Sequence, residues 1–329
     1  MKRRQFFGLI GCHVLTWTLA ARAEQSGRVR RVGMLMPNVN AIAQAEVTAF
    51  FDALKGLGWV EGRNLQADVR WGAGDAEKFQ SLSKELVNLR PDLIVGTGTP
   101  VVAALVQETR TIPIVFVNVA DPIGSGFVEG LSRPGGNLTG FTTDNSTLGG
   151  KWVELLKELS PSTARVTLLF NPATVVPLEI YMPSIQAAAS SLAVEVNEAP
   201  VHAQDKIDAV IATQARDRRN SIIVVPDPFN VTNSRQIILL AARYGVPAMY
   251  FTPTYFMESG GLVAYGSDFA EQFPLAATYV DRILKGTKPA ELPVQAPTEF
   301  DLVINLKTAK ALGLEVSSSL LARAARVIE

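Results

Sequence analysis

Cysteine and histidine are almost missing from this chain. Its 329 residues include one cysteine, Cys12, and two histidines, His13 and His202. Cys12 and His13 fall in an N-terminal segment that reads as an export signal, so the mature chain keeps His202 alone. A disulfide framework, a thiol nucleophile and a Cys/His metal cluster are thereby excluded, and no metal or other cofactor is expected. A Ser-His-Asp triad would have to use His202. That residue sits in a polar connector, Pro200-Val201-His202-Ala203-Gln204, where a solvated loop histidine is the plainer reading. Excess positive charge is missing too. The chain has 31 basic and 31 acidic residues, and the first 23 positions hold four basic ones (Lys2, Arg3, Arg4, Arg22) and no acidic one. The remainder has 27 basic against 31 acidic residues, a net charge of −4, which does not fit a nucleic-acid partner. Phosphate fingerprints fail as well. Gly96-Thr97-Gly98 lacks a third glycine at the needed spacing, and no Gly-Lys-Ser/Thr closes a P-loop.

What is present begins with the export signal. Lys2, Arg3 and Arg4 form a basic start, Phe6 to Ala20 an apolar stretch, and Ala21-Arg22-Ala23 a small-x-small cleavage pattern. The mature chain is expected to begin at Glu24, in the periplasm. The stretch is shorter than the roughly 20 apolar residues that span a bilayer. Arg3-Arg4-Gln5-Phe6-Phe7 resembles a twin-arginine signal, and an ordinary Sec signal with two arginines is the alternative. Leu9-Ile10-Gly11-Cys12 resembles a lipoprotein box. Too few apolar residues precede Cys12 for that, so it reads as part of the apolar stretch.

The mature chain alternates strand-like and helix-like segments. Residues 31–36, 65–71, 92–97 and 113–119 read as strands, with helices at 42–57, 75–89 and 100–109 between them. After the Gly-rich passage 135–145 the rhythm resumes. Strands are expected at 165–170, 194–198, 221–226 and 246–250, with helices at 151–159, 178–192, 204–218 and 232–244. A strand at 261–266, a helix at 268–285, a strand at 298–306 and a terminal helix at 319–327 complete the pattern. Continuous apolar strands separated by helices imply α/β architecture with parallel sheets covered on both faces. Two such sets, split near residue 143, imply two doubly wound lobes.

In open parallel sheets, ligands bind beyond the carboxyl ends of the strands. Asn38 follows the first strand. Thr97-Gly98-Thr99-Pro100 closes the third and opens a helix, whose free N–H groups suit an anion, although Thr99 can equally serve only as the helix cap. Asn118 ends the next strand. Asp121-Pro122 and Asp227-Pro228 follow one strand in each lobe. Their carboxylates could hold an ammonium group, do acid–base work, or merely shape turns. Asn171-Pro172 and Tyr265 stand at two further strand ends, and Phe251, Tyr255 and Phe256 could supply an apolar wall.

Several long strings, in order, then give a resemblance over essentially the whole mature chain: 56-GLGWVEGRN-64, 97-TGTP-100, 110-RTIPIVF-116, 121-DPIGSGFVEGLSRPGGNLTG-140, 226-PDP-228 and 304-INLKTAKALGL-314. The chain resembles the ABC transporter substrate-binding protein family of the tryptophan/tyrosine-uptake type. That implies a type I periplasmic-binding fold with three hinge crossings, mapping near 143, 264 and 288. Residues 30–143 with 264–287 would then form one lobe, and 144–263 with 288–329 the other. It implies a monomeric, non-catalytic binder that captures a small solute, an amino acid or another carboxylate, between the lobes by hinge closure. The binder would present the solute to an ABC permease with its ATPase, and would meet the membrane only through that permease. Ligands of the aromatic amino-acid type would be held at the positions matching 97–100, Asp121 and Asp227. A solute sensor docking on a receptor, or an exported enzyme using Asp121 and Asp227, are the alternatives.

Overall fold

A computed structural model describes residues 28–143, 146–175 and 178–329. The export signal lies outside the described residues. Strand composition sets strand position. β3 (Leu93–Thr97) and β4 (Ile114–Val119) are apolar and wholly buried. β2 (Leu65–Trp71) alternates and stays partly exposed, as an edge strand should. With β1 (Arg30–Met36) and β5 (Leu138–Thr142) they form a five-stranded parallel sheet in the order β2-β1-β3-β4-β5. Successive side chains of β4 face opposite ways. Val115 and Val117 join a core with Phe50 and Leu54 of helix α1 (Ala41–Gly56). Ile114 and Phe116 join another with Phe79 of α2 (Ala76–Asn88) and Leu105 of α3 (Thr99–Glu108).

The second sheet has seven strands, ordered β12-β11-β10-β9-β8-β6-β7. They are β6 (Arg165–Phe170), β7 (Glu195–Pro200), β8 (Asn220–Val224), β9 (Ala248–Tyr250), β10 (Val263–Gly266), β11 (Asp301–Asn305) and β12 (Arg326–Ile328). Its helices are α4 (Leu148–Leu159), α5 (Met182–Ser191), α6 (Ile207–Gln214), α7 (Pro228–Thr232) and α8 (Ser234–Tyr244). Every pairing is parallel except β10 with β11.

The tail departs from expectation in three ways. The strand near 264, expected to return to the first lobe, pairs instead with β9 and β11 in the second sheet, where Val263 and Ala264 are fully buried. The crossing therefore falls after Gly266, and helix α9 (Gln272–Leu284) packs on α1 against the first sheet. The crossing expected near 288 lies beyond 295. Leu292 is buried in the first lobe's core, and the Gln295 N–H donates to Gly140 O while its carbonyl accepts from Thr142 N. The terminal helix expected through 327 stops at Arg323. Ala324 is extended, Ala325 N donates to Leu302 O, and β-branched Val327 and Ile328 pair as β12. α10 (Leu306–Ala311) and α11 (Ser318–Arg323) complete the chain. Among the described residues no helix is long and apolar enough to cross a membrane.

Candidate functional site

The carboxyl ends of both sheets face each other across a slot. It is lined from the first lobe by Pro37, Asn38, Thr97 to Pro100, Asn118, Ala120 and Thr143, and from the second by Pro226 to Pro228, Val231, Phe251 and Tyr255, with Phe269 from the second crossing. The slot holds about 490 Å³ counted with its mouth. The lobes touch. Thr232 Oγ1 donates to Asn38 Oδ1 at 2.9 Å, and Tyr255 OH donates to Glu46 Oε1 at 2.5 Å. Ile42, one turn before Glu46 on α1, packs on the second lobe's core. This is a closed arrangement.

On the first lobe, Gly98 opens α3. Its φ of 83° is a conformation that glycine adopts without penalty, and its N–H donates to Val117 O at 2.8 Å. Thr99 was expected to cap the helix and does not. Its hydroxyl accepts from Ala120 N at 3.0 Å and reaches Ala120 O at 3.2 Å, pinning the helix to the turn after β4. No side chain caps α3, and Pro100 has no N–H. The Thr99 and Val101 N–H groups are thus the first-turn donors that helix geometry leaves without an acceptor. Thr97 is buried, with its hydroxyl against Met36 Sδ at 3.4 Å.

Asn118 is turned into the slot by an irregularity in the β4–β5 register between Phe116 and Val119. Its backbone is left-handed, φ 55°, which asparagine tolerates. Its N–H donates to Gln272 Oε1 at 2.9 Å and its Nδ2 to Phe269 O at 3.2 Å. Its Oδ1 is buried and has no partner.

The two Asp-Pro turns part company. Asp121 is half-buried outside the slot, and its Oδ1 accepts from Gly124 N at 2.7 Å within its own turn. Asp227 is buried in the slot wall, where it caps α7 and ties two loops together. Its oxygens accept from Phe229 N at 2.9 Å, Thr174 Oγ1 at 2.6 Å and Asn171 N at 2.6 Å. Burial pushes its carboxyl up to about 6, against the pull of those three hydrogen bonds. The two carboxylates are not brought together. Asn171 lies behind Asp227, with Oδ1 accepting from Ala173 N. Tyr265 lies outside the slot, where its carbonyl accepts from Trp152 Nε1 at 2.8 Å. Of the expected wall, Phe251 and Tyr255 line the slot and Phe256 packs behind them. Phe269 completes the wall, edge-on to Tyr255 with centroids 6.2 Å apart.

Glu46 was missed in the sequence. It is only 2% exposed, and burial, reinforced by the charge of Asp268, pushes its carboxyl up to about 8 against the pull of the Tyr255 hydrogen bond. The available signal was its place four residues before Phe50, on α1's buried stripe.

Two mostly parallel α/β lobes, crossed three times by the chain and closed on a slot at their carboxyl edges, make up the type I periplasmic-binding architecture. Residues 39–328 match the family model of the ABC transporter substrate binding protein, and the chain belongs to that family. The family and fold are those of solute-binding proteins rather than enzymes, and family members are typically extracellular or periplasmic. A tyrosine-binding protein from Clostridioides difficile is 27% identical over 270 residues, which is 82% of this chain and 77% of the relative. The crystal structure of an ABC domain in complex with L-Trp from Streptococcus pneumonia is 25% identical, covers 91% of this chain and 99% of its own, and superposes with a TM-score of 0.82. A conserved domain protein from Vibrio cholerae is 28% identical, covers 91% of this chain and 100% of its own, and gives the same TM-score of 0.82.

Proposed function

We propose that this chain, exported to the periplasm, captures an L-amino acid with an aromatic side chain and delivers it as a monomer to an ABC permease. The observation that carries the reading is a donor end and an acceptor set side by side in one slot, since Gly98 N–H donates to Val117 O next to Asn118. The uncapped α3 N-terminus suits a carboxylate, and the unpartnered Asn118 Oδ1 suits an ammonium group. The aromatic Phe251–Tyr255–Phe269 wall, with its rings tilted and edge-on to one another, suits an aromatic side chain. The ligands of the tyrosine-binding and L-Trp-bound relatives fit the same description. Asn38, Thr97, Gly98 and Thr99 then frame the carboxylate end, while Asp227 holds the opposite wall in shape. Asn171 supports Asp227, and Asp121 and Tyr265 act on local structure. The separation of Asp121 from Asp227 argues for binding without acid–base chemistry.

Titration calorimetry with L-tryptophan, L-tyrosine, L-leucine, benzoate and L-tryptophanamide tests the proposal. The aromatic amino acids should bind. The amide should bind about 100-fold more weakly, because the negative charge is lost and an NH2 donor replaces one accepting oxygen. Equal affinity for acid and amide, or no binding of either aromatic amino acid, contradicts it.

A further inference from the structure

We propose that Glu46 and Tyr255 form a protonation-gated latch between the lobes, so that closing the cleft over a solute draws a proton onto Glu46. The inference rests on the proposed capture of a solute between the lobes, which requires this closed form to open and close. Glu46 comes from α1 on the first lobe, and Tyr255 from the loop after β9 on the second. Their hydrogen bond therefore exists only when the lobes meet. In the closed form Glu46 is buried, its Oε1 takes the Tyr255 hydroxyl, and its Oε2 has no partner. An ionised carboxylate cannot rest there cheaply with one donor and a bare oxygen. A protonated one carries no charge, which leaves only the smaller cost of a buried hydroxyl at that oxygen.

The groups around it offer no compensating cation. Tyr255 is itself held well above its usual range by burial and by Glu46. Asp268, whose charge reaches Glu46, is occupied by Thr254 Oγ1 at 2.7 Å and Ala270 N at 3.0 Å. On α1 the other carboxylate is Asp52. On α9, which packs along α1, Asp281 is engaged by Trp59 Nε1 and Lys285, and Arg282 faces a separate surface groove with Glu271. No salt bridge to Glu46 occurs among the described residues.

The sign follows. The closed-state carboxyl is raised to about 8 from the ordinary 4.5, so the closed form takes up the proton. The latch's contribution is complete below the ordinary carboxylate range. It is lost as pH rises toward 8 and is constant above that. Affinity for a captured solute should therefore fall by up to about tenfold per pH unit between those limits.

A ligand-independent test is available, because Cys12 is the chain's one cysteine. A Cβ built on Gly74 lies 3.3 Å from Thr232 Cβ across the cleft, just inside disulfide spacing, and the left-handed backbone there (φ 71°) takes a side chain only with some strain. In a Cys12→Ser background, Gly74→Cys with Thr232→Cys should lock the lobes when oxidised. Carboxyl-¹³C glutamate spectra should then show one resonance, absent in Glu46→Gln, titrating near pH 8 in the locked form and in the ordinary range after reduction. Ordinary titration in the locked form, or raised titration in both forms, overturns the latch. Calorimetry with L-tryptophan in two buffers of different ionisation heat gives a second readout. It should show uptake approaching one proton at pH 7, and none in Glu46→Gln. Uptake unchanged by Glu46→Gln overturns the latch. If L-tryptophan does not bind, the ligand reading fails while the locked-form titration still decides the latch.

Discussion

In the proposed binding mode, Asn118 concentrates the site's chemistry in one side chain. Its backbone strain, its two donated hydrogen bonds and its bare Oδ1 all follow from the register break that aims it inward. Asn118→Gly keeps the left-handed backbone at no steric cost and deletes the acceptor. Affinity for an aromatic amino acid should fall about 10- to 100-fold by calorimetry, since a hydrogen bond to a charged group contributes about 1.5–3 kcal/mol. Unchanged affinity would remove Asn118 from the site. The sequence made Asn118 and the 97–99 turn legible because polar residues ending apolar strands stand out. It could not separate Asp121 from Asp227, since the same dipeptide follows a strand in each lobe. What differs is what packs over them: Asp121 meets its own turn, whereas Asp227 is covered by the 171–174 loop and α7. Glu46 was hidden for a related reason. A carboxylate on a helix's buried stripe looks like an interruption of the pattern until the partner hydroxyl, 209 residues away, is seen.

At the level of elements, the apolar strands and amphipathic helices were readable to within a few residues. The short or composite elements were not. β5 hid in a Gly-rich passage because Thr139 and Gly140 dilute its apolar signal. β12 looked helical because Leu320, Leu321, Ala324 and Val327 fall at helical spacing, yet only the first part of that stripe is used. β10 shows how closely two elements meet at the crossing. A Cβ on Gly266 would lie 1.9 Å from Phe251 O, a contact that only backbone movement can relieve. Gly266→Ala should lower stability by about 3 kcal/mol, read as a lower denaturant midpoint. A variant as stable as the parent would mean that this approach is looser than described.

For the whole molecule, the two lobes, their ordering and the first crossing near 143 were legible from rhythm and family resemblance, but the second and third crossings were not. A helix such as α9 or a strand such as β10 carries no mark of which sheet it will join, because both lobes offer equally apolar partners. The resulting closed form brings together groups from α1, α3, β4, α7 and the loop after β9. None of these is a site alone. The central claim is that these groups hold a zwitterion, with its carboxylate on α3 and its ammonium group on Asn118. A crystal structure of the protein grown with L-tryptophan tests this most directly. The account predicts the ligand carboxylate within hydrogen-bond distance of the Thr99 and Val101 N–H groups, the amino group at Asn118 Oδ1, and the indole against Phe251, Tyr255 and Phe269. A ligand seated outside the slot, or bound within it with the carboxylate away from α3, would contradict it.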